Sequence, residues 1–265
     1  MPEVSVIMGV YEKGSQTTDI FQSVHSILKQ THFDLEFLIC DDGSSSEVIN
    51  LLNTLANEDK RIMLLRAGDK LTLPQKLNYC LHHAQGQFIA RQDADDISKK
   101  DRIEKQLQFL KDNKSLSFVG CNANIITNGR NAGKRVFPEF PCKEDFLFRL
   151  PFLHPTLVFK VECLEYINGY SESKFAVLCE DYDLLMRLYQ NNYLGANLQE
   201  YLFYYRVEPE SYKKRRYRHR INETITRYNR FRDNKMLLKG LPFIIKPLIL
   251  GLIPARFVEY LKKRR

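Results

Sequence analysis

Acidic residues recur in this chain just after short apolar segments. The pair Asp41-Asp42 follows the apolar segment 35–40. A second group, Asp93-Ala94-Asp95-Asp96, follows the segment 88–90. In open α/β sheets, ligands bind at the carboxyl ends of the strands. Carboxylates gathered there repel one another unless a cation offsets their charge, so the pattern predicts a divalent metal with oxygen ligands.

A third acidic pair, Glu180-Asp181, begins a predicted helix over residues 181–193. Each acidic group alone also fits a turn or a helix N-cap, because short polar side chains favour both positions. The sequence has no G-x-G-x-x-G after the first strand and no G-x-x-x-x-G-K-[ST]. A bound phosphate would therefore be held by a metal and basic side chains instead of a glycine-rich loop.

Strands that alternate with amphipathic helices must position these groups. Apolar runs predict strands at residues 4–10, 35–40, 62–65, 88–90, 117–123 and 156–159. Apolar residues at helical spacing lie between most of them, and residues 127–141 are predicted as loop and edge strand. This alternation predicts an α/β fold with a mostly parallel central sheet flanked by helices.

The composition fits a globular α/β domain with an appendage. The chain has 265 residues, of which 44% are hydrophobic and 27% charged. Its six cysteines include no C-x-x-C pair, which favours reduced structural thiols in a cytosolic protein. The N-terminus reads as a strand and lacks the basic region of a signal peptide.

The positive charge is concentrated at the C-terminal end. Residues 206–265 hold 18 Lys and Arg against 5 Asp and Glu, a net charge of +13, whereas residues 1–205 have a net charge of −5. A helix is predicted over residues 211–239, and the apolar stretch 241–258 is interrupted by charges and prolines and is too short to span a bilayer. These features predict an interfacial anchor on an anionic inner leaflet. The alternative is a helix that packs on the domain and exposes a solvated basic face. Nucleic-acid binding is not expected, because no recognition motif accompanies the charge.

The chain resembles a family 2 glycosyltransferase, the inverting group with a GT-A fold, of the type that builds bacterial cell-surface polysaccharide. The matching stretches are residues 4–12, 26–44, 76–106, 154–156, 168–172 and 180–188. The resemblance implies a Rossmann-like GT-A domain over residues 1–206, with a nucleotide-sugar-binding half at 1–125 and an acceptor-side half at 126–206. Residues 207–265 then form a basic helical tail.

The resemblance also assigns residues to the nucleoside. Val10, Tyr11 and Glu12 match the segment that borders it. Asp42 matches the carboxylate that accepts a hydrogen bond from the uracil ring, since a carboxylate is an acceptor only. Arg91 is expected beside the ribose and the diphosphate.

The metal and the general base follow from the same matches. Asp95 matches the residue that binds Mn²⁺ or Mg²⁺ at the diphosphate. Asp93 is expected beside the ribose and the diphosphate, and both Asp93 and Asp96 are expected to assist Asp95 in binding the metal. The metal would neutralise charge on the departing nucleoside diphosphate. Asp181 matches the general base that takes a proton from the acceptor hydroxyl.

Three further residues are expected on the acceptor or diphosphate side: His154, Glu180 and Arg206. His154, which precedes Pro155, also fits a buried core histidine with its hydrogen bonds satisfied. Two positions depart from the family pattern. The family often has a His shortly after the Tyr-Arg that ends here at Arg206, and this chain lacks it. Gly9 replaces a common Pro, a change that we expect to be chemically neutral.

The implied activity is the transfer of a sugar from a nucleotide-sugar, preferably UDP-linked, to a glycan or lipid-linked acceptor at the cytoplasmic face of the membrane. One alternative is a sugar nucleotidyltransferase, which requires a glycine-rich and basic loop after the first strand. Another is an inactive scaffold of a polysaccharide-assembly complex, against which the intact Asp95 and Asp181 argue.

Overall fold

A mixed β-sheet forms the centre of the protein. The computed structural model describes residues 1–10, 17–68, 70–207 and 217–252, except for the side chain of Leu250. The strands are β1 (Val4–Val10), β2 (Leu35–Asp41), β3 (Ile62–Arg66), β4 (Phe88–Arg91), β5 (Ile97–Ser98), β6 (Leu116–Thr127), β7 (Arg130–Arg135), β8 (Val158–Lys160) and β9 (Leu194–Arg206). Their order is β3-β2-β1-β4-β8-β6-β9-β5, with β7 paired to β6.

Helices flank this sheet. They are α1 (Thr17–Leu28), α2 (Ser46–Glu58), α3 (Leu73–His83), α4 (Arg102–Asp112), α5 (Asp145–Phe148), α6 (Val161–Tyr166), α7 (Glu180–Gln190), α8 (Tyr217–Asp233) and α9 (Leu237–Leu252). A short 3₁₀ turn, His154–Thr156, precedes β8. The predicted α/β architecture is confirmed.

The first four strands run parallel to one another. The apolar residues of β1, β2 and β4 are buried on both faces, as expected for strands covered by crossover helices, whereas Met63 of the edge strand β3 is exposed. Val10 lies opposite Asp41, and Ile7 lies opposite Arg91. The ends of β1 and β2 and the segment after β4 therefore meet at one edge of the sheet.

The second half of the sheet is mixed. β8 is antiparallel to β4 and β6, whereas β9 runs parallel to β6. β7 pairs with β6 in a hairpin and is exposed along its whole length, which confirms the edge strand predicted within residues 127–141. Asn128 and Gly129, with φ of 50° and 72°, make its turn, and both angles suit a tight hairpin.

The helix α3 matters most for the site. It begins after Thr72, whose backbone N–H donates to Oε1 of Gln75 at 2.9 Å. Leu77 and Cys80 on its inner face are fully buried against β1 and β2. The six cysteines of the chain are all free, and only Cys142 is exposed.

The C-terminal helices pack onto the domain. Phe231, Met236 and Ile244 belong to the same hydrophobic cluster as the core beneath α3. The single helix predicted over residues 211–239 is wrong in one respect: α8 ends at Asp233, and Lys235 has a φ of 58°, which breaks the helical path. α9 continues through Pro242. Within the described ranges, no helix is both long and apolar enough to cross a bilayer.

Candidate active site

A cavity of about 380 Å³ opens where β1 and β4 end. Its wall combines residues from these strand ends with residues from α1 and α3. They are Gly9, Val10, Asp19, Ile20, Leu71, Leu73, Lys76, Asp93, Ala94 and Asp95. The structure thus brings three of the predicted donor-site residues, Val10, Asp93 and Asp95, to one cavity.

Arg91 fixes the start of the acidic loop. Its guanidinium is fully buried and lies 2.5 Å from Oδ1 of Asp93. Asp93 also holds α1, because its carbonyl oxygen accepts a hydrogen bond from the Ser23 hydroxyl at 2.7 Å. A buried cation beside a carboxylate at the cavity wall orients that carboxylate without help from solvent.

The carboxylates of the acidic loop are crowded. Asp95 is exposed at the cavity, yet the surrounding protein and then the charge of Asp93 raise its pKa to about 6. Burial, followed by the charges of Asp93 and Asp95, raises the pKa of Asp96 well above its usual range. A bound cation would relieve this repulsion.

The loop fits a metal that is completed by substrate. The described residues contain no group of three or more His, Cys, Asp and Glu side chains poised around a metal position. Mg²⁺ sites of nucleotide-dependent enzymes commonly use one or two carboxylates, with phosphate oxygens and water as the remaining ligands. Asp95, with Asp93 beside it, supplies that number of hard oxygen ligands.

The end of β2 carries two aspartates with different surroundings. Asp41 accepts hydrogen bonds from the backbone N–H groups of Gly43 and Ser44, so it closes a turn. Asp42 is buried: its Oδ2 accepts a 2.6 Å bond from the backbone N–H of Leu71, and its Oδ1 lies 2.6 Å from Nζ of Lys76. Asp42 is therefore held in one orientation beside the cavity.

The pair Glu180-Asp181 forms the first turn of α7, where negative charge is favoured by the helix dipole. Burial and then the charge of Asp181 raise the pKa of Glu180 to about 7, with Asp93 contributing in the same direction. Oδ1 of Asp181 accepts a 2.7 Å bond from the backbone N–H of Tyr182. Asp183, two positions after Asp181, instead pairs with Arg187, with 2.8 Å between its Oδ2 and Nε of Arg187.

His154 lies in the interior next to Tyr170. Its Nε2 is 2.8 Å from the Tyr170 hydroxyl, and both side chains are buried. Burial, and then the charge of Arg91, hold the pKa of His154 well below its usual value, so the ring is neutral. The hydroxyl of Tyr170 lies in the combined fields of Arg91, Asp93 and the α7 carboxylates.

Arg206, at the end of β9, binds the acidic loop. Its backbone N–H donates to Oδ1 of Asp96 at 2.7 Å, and its Nε donates to the carbonyl of Asp95 at 2.8 Å. The guanidinium also pairs with Asp19 at 3.1 Å. Two other predicted nucleoside contacts, Tyr11 and Glu12, lie outside the described residues.

Sequence reasoning missed Lys76, Asp19 and Tyr170. Lys76 is a charged residue at a buried position of the apolar α3 pattern, which is the one signal that singles it out. Asp19 stands in the first turn of α1, where acidic residues are common, and Tyr170 carries no local signal.

A profile described as "Glycosyl transferase family 2" matches residues 5–163, more than half of the chain. The chain belongs to this family. The matched region contains the cavity and the acidic loop and ends in α6, before α7 begins. The protein is therefore a glycosyltransferase, and the hexosyltransferase-type activity expected from the sequence agrees with its relatives.

Two relatives illustrate the family. "Putative glycosyltransferase EpsE" of Bacillus subtilis (strain 168) is 32% identical over 265 residues, covering 100% of this chain and 94% of the relative. An Escherichia coli protein named "UDP-Gal:alpha-D-GlcNAc-diphosphoundecaprenol beta-1,3-galactosyltransferase" is 27% identical over 273 residues, covering 99% of this chain and 96% of the relative.

Solved structures of this glycosyltransferase type share its fold. S. aureus TarS 1–349 in complex with UDP-GlcNAc superposes with a TM-score of 0.70 at 18% identity, covering 92% of this chain and 73% of that one. The mannosyltransferase PcManGT from Pyrobaculum calidifontis, in complex with GDP-Man and Mn²⁺, gives a TM-score of 0.64 at 17% identity, covering 99% and 79%. The expected GT-A fold is confirmed.

Proposed function

We propose that this glycosyltransferase moves a hexose from a UDP-sugar to a lipid-linked saccharide and inverts the anomeric configuration. The observation that carries the proposal is the cavity whose wall holds Lys76, Asp93 and Asp95 together. Lys76 pairs there with the oriented Asp42, and the charge of Asp93 contributes to the raised pKa of Glu180, the neighbour of Asp181.

The donor would lie along the strand ends. Val10 borders the nucleoside, and the fixed carboxylate of Asp42 accepts a hydrogen bond from the N–H of the base. The diphosphate then reaches Asp93 and Asp95 across the cavity. The names of relatives support a UDP-linked hexose, because the E. coli relative is named for UDP-Gal and another E. coli relative for UDP-Glc.

Mn²⁺ or Mg²⁺ would be held by Asp95, with Asp93 beside it. When bound, the metal would offset charge on the departing nucleoside diphosphate. Arg91 holds Asp93 in place from the buried side, and Asp96 fixes the loop by accepting from Arg206. Arg91 and Asp96 therefore reduce the rearrangement of the acidic loop that is needed when the donor binds.

Asp181 is proposed as the general base. Its Oδ1 is oriented by the backbone N–H of Tyr182, and burial, followed by the charge of Asp181, raises the pKa of Glu180 to about 7. Glu180 thus carries a proton for part of the time at neutral pH, which lessens the repulsion between the pair. Asp181 takes the proton from the acceptor hydroxyl as that oxygen attacks the anomeric carbon, and attack opposite the leaving group inverts the configuration.

The acceptor proposal is a saccharide diphosphate carried on a polyprenol. Two E. coli relatives, 27% and 36% identical over the aligned residues, are named for GlcNAc-diphosphoundecaprenol acceptors. An acceptor of this kind lies in a membrane, so the enzyme must approach a lipid surface.

The C-terminal helices supply such a surface. Along α9 the outward residues Leu238, Leu241, Ile245, Ile249 and Leu252 are 46% to 86% exposed. Basic residues are frequent in the tail, which has a net charge of +13 over residues 206–265. An exposed apolar stripe beside positive charge is complementary to an anionic bilayer. We therefore place the protein peripherally on the cytoplasmic face of the membrane.

A transfer assay tests the function. The full chain is given UDP-Glc, UDP-Gal, UDP-GlcNAc and UDP-GalNAc in turn, with Mn²⁺ and a GlcNAc-diphospho-lipid acceptor in detergent. We expect one donor to release UDP, and the new glycosidic proton to show the configuration opposite to that of the donor by NMR. Retention of configuration would contradict the Asp181 mechanism. No transfer from any UDP-sugar, with nucleotide binding intact, would favour a scaffold.

A further inference from the structure

We propose that Arg227 and Arg230 of α8 are positioning residues for the first turn of α7, where Asp181 stands. The proposal rests on the assignment of Asp181 as the general base and deepens it. It makes α8 part of the transferase domain, although this helix lies beyond residues 5–163, the region that the family profile matches.

The chain enters α7 through a strained residue. Leu178 has a φ of 63°, a conformation that is unfavourable for a residue with a side chain. Glu180 begins the helix two positions later. A backbone of this kind persists only where the surrounding structure holds it. The position of Asp181 therefore depends on the contacts that other elements make with the first turn of α7 and with the segment before it.

Arg227 lies over the residue that follows Asp181. Its Cζ is 4.9 Å from the ring centre of Tyr182, and its Nη1 donates to the carbonyl oxygen of Leu147 at 3.4 Å. Its Nε pairs with Glu223 of the same helix at 3.2 Å. Because the Tyr182 ring is buried, it attracts a cation more strongly than an exposed ring does. Arg227 thus fixes Tyr182, whose backbone N–H in turn donates to Asp181.

Arg230, almost one turn later in α8, holds Asp183. Its Nε lies 3.4 Å from Oδ1 of Asp183, and Nε of Arg187 lies 2.8 Å from Oδ2 of the same carboxylate. Asp183 is only 5% exposed, so its charge depends on these two arginines. Loss of one cation from a buried ion pair leaves a charge that water does not solvate. Arg230 thus ties α8 to α7 two positions after the proposed base.

Two further contacts secure the segment before α7. The hydroxyl of Thr226, a buried residue, donates to the carbonyl oxygen of Phe175 at 2.8 Å. The side-chain amide of Asn222 donates to the carbonyl oxygen of Lys174 at 3.1 Å. Residues of α8 therefore contact the chain on both sides of Leu178, and together they fix the direction in which α7 begins.

Steady-state kinetics of the full chain test the proposal, with the UDP-hexose that the wild type uses and a GlcNAc-diphospho-lipid acceptor in detergent. A general base must lie within hydrogen-bonding distance of the acceptor hydroxyl, and a displacement of about 1 Å can slow transfer by about a hundredfold. We expect Arg227→Met and Arg230→Met each to lower kcat by about tenfold to a hundredfold. The affinity for UDP with Mn²⁺, measured by calorimetry, should stay the same, because neither arginine belongs to the described wall of the cavity.

Arg232→Met is the matched control. It removes the same charge from the same helix, but Arg232 has a side chain that is 58% exposed and pairs with Asp233. It should leave both kcat and the affinity for UDP unchanged. Arg227→Lys keeps a cation near the Tyr182 ring, so it should lose clearly less activity than Arg227→Met.

An unchanged kcat in both methionine variants would overturn the proposal. An equal fall in kcat and in UDP affinity would overturn it too, since that result indicates a general distortion of the fold. Equal losses in Arg227→Lys and Arg227→Met would exclude the role of the cation at the ring.

If the methionine variants do not fold, Thr226→Val replaces them, because it removes only the hydrogen bond to Phe175. It should lower kcat without weakening UDP binding, and a kcat equal to that of the wild type would then overturn the proposal. A wild-type protein that binds UDP but transfers no sugar would overturn the proposed function and this inference with it.

Discussion

The backbone N–H of Arg206 donates a 2.7 Å hydrogen bond to Oδ1 of Asp96, a buried carboxylate of the acidic loop. The two residues are 110 positions apart in the sequence. The end of β9 therefore holds the loop that carries Asp95. Asp96 was expected to assist in binding the metal, and in this arrangement it stabilises the loop through this buried hydrogen bond.

The side chain of Arg206 gives a first prediction. Its guanidinium bonds the carbonyl of Asp95 and pairs with Asp19, so Arg206→Met should loosen the loop. We expect KM for the donor to rise about tenfold, since a charged hydrogen bond is lost, with a smaller change in kcat. Steady-state kinetics measure both constants. Arg66→Met, at an exposed arginine bonded to Asn53, is the control and should leave both unchanged.

The start of α7 gives a second prediction. Asp181→Asn should lower kcat by about 10²- to 10⁴-fold, the range expected for loss of a general base, with little change in nucleotide affinity. Glu180→Gln should have a much smaller effect, because Glu180 is partly protonated at neutral pH. The two variants are compared by kcat and by UDP titration. Equal losses in kcat would contradict the assignment of the base to Asp181.

The raised carboxylate pKa values make stability depend on pH. The pKa of Glu180 is about 7, above the 4.5 of an unperturbed glutamate, so the folded state binds its proton more tightly than the unfolded state. The free energy of unfolding therefore falls as the pH rises from about 4 to about 7. Glu180→Gln removes this loss.

We expect that variant to unfold roughly 2–4 °C higher than wild type at about pH 8, and at the same temperature at about pH 4. Thermal unfolding followed by circular dichroism measures the difference. Glu162→Gln, at an exposed position of α6, is the control and should show no such pH-dependent gain. A stabilisation that is equal at both pH values would show that ionisation of Glu180 is not its cause.

The exposed stripe of α9 gives a prediction about membranes. Replacing Leu241 and Ile245 with Ser removes apolar area from the surface proposed to enter the bilayer. Binding to phosphatidylglycerol vesicles should weaken by roughly tenfold or more, because each buried methylene contributes about 0.8 kcal/mol. Co-sedimentation with vesicles measures this binding, and vesicles of pure phosphatidylcholine, which carry no net charge, serve for comparison.

Phe33→Ser is the matched control for this experiment, since Phe33 is an exposed apolar side chain before β2 and outside the tail. It should bind vesicles as the wild type does. If the α9 variant also bound as tightly as the wild type, the proposed membrane surface would be excluded.

The sequence predicted the parallel half of the sheet well, because its strands are uninterrupted apolar runs. It did not predict β9, whose polar residues Asn197, Gln199 and Glu200 interrupt the strand pattern. That strand is positioned by pairing with β6, far away in sequence, and a local pattern does not record such pairing. The hydrogen bond between Arg206 and Asp96 depends on it.

The candidate site residues show the same contrast between what a local sequence pattern predicts and what depends on contacts between distant segments. The positions of Asp93, Asp95 and Asp181 at the ends or starts of regular elements could be expected from the sequence, and their roles stay predictions. Lys76 and Tyr170 were not, because their importance comes from the partners that the fold brings to them, Asp42 and His154. The close approach of Leu73 and Lys76 to Gly9 was not predictable either, because the fold alone brings this helix to the end of β1.

Thermal unfolding with UDP and Mn²⁺ tests the central claim most directly. A ligand that binds only the folded state stabilises it by about 2.7 kcal/mol at a hundredfold excess over its Kd. We expect UDP with Mn²⁺ to raise the unfolding temperature more than either alone, and Asp95→Asn to abolish the contribution of the metal while the variant stays folded. Equal stabilisation by UDP with and without Mn²⁺, or an unchanged metal effect in Asp95→Asn, would contradict a metal-bridged nucleotide at this loop.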